Sequence, residues 1–266
     1  MNIPPIIYGT AWKADATENL VLTALKTGFR AIDTANQRKH YHETAVGNAI
    51  IKSGIARDQL FLQTKFTYVA GQDHRVPYDP HTDYAAQVRQ SFQSSLEHLR
   101  TTFIDSYLLH GPSTWMGLAP ADWQVWKEME KIHKEKQTHH LGISNVNLGQ
   151  LQELYEKALV KPTFVQNRCY AQLGWDKEIR QFCTQKGLIY QGFSLLTANS
   201  FVLPQVQHLA ARFNKTPMQI VFRFTMQIGI LPLTGTTNST HMKEDLALNF
   251  NLTDEDIKFI ENITLK

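Results

Sequence analysis

The stretch IDSYLLHGP, residues 104–112, sets His110 directly behind the apolar run Tyr107-Leu108-Leu109. A strand buried on both faces reads as a short continuous apolar run, and polar chemistry collects where that strand stops. Two other stretches share the form: FRAID (29–33) ends on the carboxylate of Asp33, and FLQTK (61–65) ends on the ammonium of Lys65. Helix-like segments separate the three. If the strands lie parallel in one sheet, Asp33, Lys65 and His110 converge on one rim.

The alternation continues along the chain. Strands are predicted at 6–10, 31–33, 61–65, 104–110, 140–144, 164–167, 188–193 and 230–234, and helices at 17–27, 43–53, 82–99, 120–134, 148–159, 177–186, 216–228 and 239–248. Eight strand-helix units joined by right-handed crossovers predict an α/β fold closed into a (β/α)8 TIM barrel, a single domain over residues 1–266. The rival is a doubly wound sheet, which usually carries GxGxxG after its first strand; here that turn reads Tyr8-Gly9-Thr10-Ala11-Trp12. A last helix, 254–263, opens with Thr253 as N-cap and acids in its first turn.

Length and composition limit the function classes. The chain has 266 residues, close to the roughly 250 of one such barrel, and no linker divides it. A net charge of +3 says little about partners; the densest basic patch, KIHKEK at 131–136, suits a solvated helix end, so no nucleic-acid partner is expected. Cys169 and Cys183 are too few for a disulfide framework, and the eleven histidines are scattered rather than set at metal-ligand spacing, so no metal is expected and a reduced, cytoplasmic setting is. Neither a signal segment nor a run of about 20 apolar residues is present, so no membrane association is expected.

Barrel enzymes work from loops at the C-terminal ends of their strands. By that rule strand one delivers Trp12, strand two Asp33 and the loop to Tyr41, strand three Lys65 and strand four His110. Strand five adds Ser144 and Asn145, strand six Gln166 and Asn167, strand seven Phe193 and Ser194, strand eight Thr234, Gly235, Thr236 and Thr237. Singly, each has a plain structural explanation as a cap, a snorkelling lysine or a core histidine. Together they offer a phenol, an amine, a carboxylate and an imidazole. A tyrosine is a poor proton donor near neutrality, but a unit charge about 4 Å away at an effective dielectric near 20 is worth roughly 4 kcal/mol, enough to lower the phenol by as much as about three pKa units. Lys65 is the expected source of that charge, Asp33 keeps it protonated, and His110 directs a substrate carbonyl. Such a set protonates an oxygen without a nucleophile; the missing reactant is then a hydride, which a nicotinamide supplies and side chains do not.

AIDTANQRKHYHETAVG (31–47), QTK (63–65), LLHGP (108–112), LGISNV (141–146) and LPLTGTTNSTHMKEDL (231–246) together resemble the aldo-keto reductases, almost end to end. The resemblance implies an NADP(H)-dependent oxidoreductase, NAD(H) being the alternative cofactor, that reduces aldehyde or ketone carbonyls through a tetrad falling on Asp33, Tyr41, Lys65 and His110. It implies carboxamide contacts at Ser144, Asn145 and Gln166, and a nicotinamide stack on Phe193, where the family more often has tyrosine. Ser194, Leu195 and Thr197 would face the pyrophosphate. Thr234, Gly235, Thr236, Thr237, His241, Glu244 and Asp245 would face the adenosine end, and Thr10 and Asp33 would also touch the cofactor.

The chain departs from that pattern in several places. Seven residues separate Asp33 from Tyr41, a longer connection than usual, and His40 and His42 flank Tyr41 as alternative proton donors. Leu233 and His241 stand where the family often has lysine and arginine, which weakens the grip on a 2′-phosphate, a group best held by guanidinium; His241 and Lys243 are the compensating cations. The usual N-terminal hairpin is truncated and the C-terminal loop short, so an open substrate pocket is expected, walled by Trp12, Tyr68, Trp115 and the loop 71–80. The expected partner is a small carbonyl compound, on a monomeric chain. Two rivals remain: a cofactor-binding protein without turnover, serving redox sensing or interaction, and a metal-dependent barrel hydrolase.

Overall fold

Strands β1 (Ile7–Gly9), β2 (Ala31–Asp33), β3 (Phe61–Phe66), β4 (Ile104–Leu109), β5 (Thr138–Ser144), β6 (Phe164–Arg168), β7 (Ile189–Phe193) and β8 (Ile230–Thr234) close a parallel barrel in chain order. The last edge is sealed by β8 against β1, Tyr8 opposite Thr234. The structure, a computed structural model, describes residues 3–263. Around the barrel run α1 (Thr17–Thr27), α2 (Glu43–Ser53), α3 (Tyr84–Leu99), α4 (Pro120–Lys134), α5 (Leu148–Lys157), α6 (Lys177–Lys186), α7 (Gln207–Phe213), α8 (Pro217–Gln227), α9 (Ser239–Leu246) and α10 (Asp254–Glu261). The (β/α)8 TIM barrel expected from the sequence is therefore the fold. None of the described helices is long and apolar enough to cross a membrane.

Side chains alternate inward and outward along each strand, and this period of two fills the barrel in layers. One inward layer is apolar, with Ile7, Ala31, Phe61, Leu108, Phe164 and Leu233 forming their own buried cluster. Two residues further along β2, β3, β6 and β7 the inward positions turn polar: Asp33, Gln63, Gln166 and Gln191. The outward faces meet the helices in a second, larger core that includes Tyr8, Phe92, Tyr107, Trp126 and Phe222.

Helix bounds differ from the sequence expectation where caps decide them. Asp83 accepts from the Ala86 amide at 2.8 Å, so α3 starts at Tyr84 rather than two residues earlier. The α5 helix stops at Lys157, and Leu159 beyond it lies exposed, so the apolar residue that seemed to extend the stripe does not pack. An unexpected short helix, α7, lies between β7 and α8. Thr253 caps α10 as expected, accepting from Asp256 N at 3.3 Å. Cys169 and Cys183 are free and buried.

Candidate active site

The polar layer ends in an ion pair. The Lys65 ammonium donates to Asp33 Oδ1 at 2.6 Å, to Oδ2 at 2.7 Å and to the Thr34 carbonyl at 2.9 Å, with Lys65 fully buried. Asp33 Oδ1 also accepts from Gln63 at 2.7 Å and from Gln166 at 3.0 Å. Both glutamines donate to Gln191 Oε1, at 2.8 and 2.9 Å, and Gln191 donates back to Gln63 at 3.0 Å. A buried pair repays its desolvation only when such hydrogen bonds satisfy its remaining lone pairs.

Tyr41 reaches this pair despite the longer connection. The extra residues are wound into a turn, with the amides of His40 and Tyr41 both donating to the Gln37 carbonyl, at 3.2 and 3.0 Å. Gln37 donates to the Gly71 carbonyl and Gln72 to the Asn36 carbonyl, each at 2.8 Å, so the loop after β3 clamps the loop after β2. On the other side Glu43, at the start of α2, accepts from Thr64 at 2.5 Å and from Ser95 at 3.0 Å. The Tyr41 ring consequently lies 5.5 Å from Lys65 Nζ and 5.9 Å, edge to face, from the His110 ring. His110 Nδ1 sits 2.6 Å from the Thr67 hydroxyl. His42 is exposed at the head of α2 and does not line the cavity, whereas His40 does.

The electrostatics correct one expectation. Burial, and then the Asp33 carboxylate, raise the Tyr41 hydroxyl above the ordinary phenol range. Lys65, whose ammonium is held on the Asp33 carboxylate at 2.6 Å, does not offset that rise. Burial likewise lowers the Lys65 ammonium, with Asp33 opposing. His110 is pushed down to about 3, first by burial and then by the Lys65 charge, so it is neutral at ordinary pH.

A cavity of about 640 Å³ opens over this group at the C-terminal rim, within the usual size range of small-molecule sites. Asp33, Tyr41 and His110 line it, and Lys65 stands behind Asp33. Ser144, Asn145, Gln166, Phe193, Ser194, Leu195 and Thr197 line it, as do Thr234, Gly235, Thr236, Thr237, His241, Glu244 and Asp245. Thr10 does not; its hydroxyl and its amide each donate to the Asp33 carbonyl at 3.0 Å, steadying the strand end instead. Of the expected substrate walls only Trp12 faces the cavity. Tyr68 donates to Asp122 at 2.7 Å, and Trp115 is 94% exposed; neither lines it.

Three non-glycine residues on the cavity wall hold left-handed backbone: Trp12 at φ 62, Asn145 at φ 53 and Ser194 at φ 57. Such conformations cost on the order of 1–3 kcal/mol each and persist only where surrounding contacts impose them, commonly at functional sites. Asn145 is imposed by its own side chain, which donates to the His110 carbonyl at 2.8 Å, tying the end of β5 to that of β4. Sequence reasoning missed Gln63 and Gln191 as supports of Asp33, although stepping by two back from Lys65 along β3 reaches Gln63. It also missed Lys13, a buried cavity-lining cation whose ammonium donates to the Gly235 carbonyl at 2.8 Å and which burial lowers to about 8. Among the described residues no group of three or more His, Cys, Asp or Glu is placed to hold a metal ion.

A dinucleotide fits the wall chemistry. A carboxamide needs both donors and acceptors, which Ser144, Asn145 and Gln166 present together; an aromatic ring needs a flat apolar face, which Phe193 offers; phosphates need cations, found at Lys13 and Arg168.

Comparison with known proteins agrees with the architecture. The profile of the Aldo/keto reductase family matches residues 5–264. The chain is 31% identical over 249 residues to glyoxal reductase of Bacillus subtilis, spanning 93% of this chain and 83% of that protein. It is 28% identical over 260 residues to a 9,11-endoperoxide prostaglandin H2 reductase of Trypanosoma cruzi, spanning 95% of this chain and 85% of that one. The crystal structure of an aldo/keto reductase from Brucella melitensis superposes with a TM-score of 0.83 at 27% identity, covering 97% of this chain and 94% of the other.

Proposed function

The chain belongs to the aldo/keto reductase family, oxidoreductases that reduce carbonyl groups with a nicotinamide cofactor, and from that premise we propose that it is an NADP(H)-dependent reductase of aldehydes and ketones with Tyr41 as its acid. The observation that carries the reading is the meeting of Tyr41, the Lys65–Asp33 pair and His110 at one end of a cavity whose other end is lined by loops after β7 and β8. When bound, the nicotinamide supplies a hydride to the carbonyl carbon. Ser144, Asn145 and Gln166 hold its carboxamide and Phe193 its ring.

His110 stays neutral and donates to the substrate oxygen, fixing its direction. Tyr41 gives its proton to that oxygen as negative charge builds there, and regains one from solvent. The high pKa of its hydroxyl keeps it protonated until an alkoxide, a stronger base, is formed beside it. The Lys65 ammonium lies 5.5 Å from the tyrosinate ring, held in place by Asp33 and its glutamines. In the reverse direction the same groups take a proton from an alcohol.

For the adenosine end we propose NADP(H) over NAD(H) on the strength of Lys13; the cavity-lining arginine, Arg168, lies 5.7 Å from the Phe193 ring instead, which favours the alternative. Disappearance of reduced cofactor absorbance on adding aromatic aldehydes, dicarbonyls or quinones tests the activity, and parallel titrations with NADPH and NADH test the preference. The raised Tyr41 pKa favours a second reading, a cofactor-binding subunit without turnover. It predicts quenching of protein fluorescence by NADPH with no consumption of cofactor on any of those carbonyls.

A further inference from the structure

Three glutamines from three strands meet inside the barrel beneath the cavity. Gln63 on β3, Gln166 on β6 and Gln191 on β7 are all buried; Gln166 lines the cavity, and Gln63 and Gln191 do not. Their amides form one connected set with Asp33. Gln63 Nε2 donates to Asp33 Oδ1 at 2.7 Å and to Gln191 Oε1 at 2.8 Å, and Gln166 Nε2 donates to the same two oxygens at 3.0 and 2.9 Å. Gln191 Nε2 returns a hydrogen bond to Gln63 Oε1 at 3.0 Å.

Chemistry decides which end of each amide points where. Asp33, paired with the Lys65 ammonium at 2.6 Å, accepts and does not donate, so the atom that Gln63 and Gln166 each turn to it is nitrogen. An amide nitrogen carries two hydrogens. In both glutamines the second goes to Gln191, which therefore presents its oxygen, and the Gln191 nitrogen falls to Gln63 Oε1. Turning Gln191 over would set its NH2 against two others and leave buried donors without acceptors, at their full desolvation cost.

Both hydrogens of the Gln166 amide are thus engaged. Its remaining atom, Oε1, makes no hydrogen bond among the described residues and is not buried. At this point the cavity wall accepts and does not donate. The Gln166 backbone has its own anchor, the Ser144 hydroxyl donating to its carbonyl at 2.6 Å, so Gln191 governs the side-chain amide alone.

We propose that Gln191 is a positioning residue for the cofactor: by accepting from Gln166 Nε2 it holds the Gln166 oxygen toward the cavity, where that oxygen takes an N–H and so selects a pyridine ring bearing a carboxamide. This rests on the nicotinamide reading of the same site. Gln191 itself touches neither cofactor nor substrate.

The test compares, by calorimetry, NADP+ with 2′-phospho-ADP-ribose, which lacks the pyridine ring, and in parallel NAD+ with ADP-ribose. Gln191→Met keeps the size of the side chain and removes its polar atoms. The variant is expected to lose about ten-fold in affinity for the dinucleotide, the size of one neutral hydrogen bond, and to bind the ring-less ligand as the wild type does. A merely structural loss would move both. Gln191→Glu supplies the rescue: buried beside Asp33, its carboxyl is held neutral, its C=O accepting from both glutamines and its O–H donating to Gln63. Dinucleotide affinity of that variant should approach the wild-type value at mildly acidic pH and fall as rising pH ionises the carboxyl, and this contrast carries the test if the Met protein does not fold. Equal losses on both ligands, unchanged dinucleotide binding by Gln191→Met, or no rescue by Gln191→Glu would overturn the role of Gln191 while leaving cofactor binding intact. Failure of the wild type to bind either dinucleotide would overturn the cofactor reading and this inference with it.

Discussion

The Lys65 ammonium and the Asp33 carboxylate are the residues on which the site's electrostatics turn, because neither is stable alone where it lies. Removing one partner of a buried pair strands the other, at a cost of about 3–5 kcal/mol. Lys65→Met and Asp33→Asn are each expected to lower stability to that extent in urea unfolding, and the double variant to cost less than the sum; strict additivity would show that the pair is not coupled. His110 gives a pH signature. Its folded pKa of about 3 lies below the ordinary 6.5, so between those values the unfolded chain binds a proton that the native one refuses. The stability His110 contributes is complete above about pH 6.5 and is lost as pH falls through the window toward 3. Unfolding midpoints measured across that range should fall more steeply for the wild type than for His110→Gln, and parallel curves would contradict the assignment. Asp33, Lys65 and His110 were legible in the sequence because each closes an apolar run; the rise of the Tyr41 hydroxyl beside them was not, since it depends on a burial that only the closed barrel brings about.

At the scale of elements, the position of Tyr41 is set by α2, whose first turn is pinned through Glu43 and whose middle is pressed against α3. A Cβ on Gly47 would lie 2.1 Å from the His98 carbonyl oxygen, so the two helices approach as closely as they do only because that position has no side chain. Gly47→Ala should push α2 outward, costing at least about 1–3 kcal/mol by overpacking, and should lower kcat because the turn carrying Tyr41 moves with the helix. Unchanged stability and unchanged kcat would show that α2 does not position Tyr41. The strand-helix alternation made eight strands and most helices readable, since each pairs an apolar run with an amphipathic stripe. It did not reveal α7, a seven-residue helix that buries only Leu209 and Ala210 and so leaves too short a stripe to recognise. Nor did it place Tyr68 and Trp115: the sequence puts both beyond strand ends, but Asp122 draws the Tyr68 hydroxyl aside and the loop carrying Trp115 is tied down by Asn147 and Gln150.

For the whole molecule, the barrel brings loops from opposite ends of the chain, after β1 and after β8, onto one cavity, where Lys13 donates to the Gly235 carbonyl. A dinucleotide lying along the rim would bridge strand ends that are otherwise joined only through the sheet. Binding to the native state alone stabilises it by about 2.7 kcal/mol at a hundred-fold excess over Kd, so NADPH should raise Tm, and Lys13→Met should reduce that rise; an equal rise in wild type and variant would show that Lys13 does not meet the cofactor. Carbonyl reduction in this cavity is proposed to draw its proton from Tyr41. This is tested most directly by single-turnover consumption of NADPH on phenylglyoxal by the wild type and Tyr41→Phe, with NADPH binding followed separately by fluorescence. Cofactor loss is expected in the wild type, little or none in Tyr41→Phe, and near-equal cofactor affinity in both. Undiminished turnover by Tyr41→Phe would contradict it.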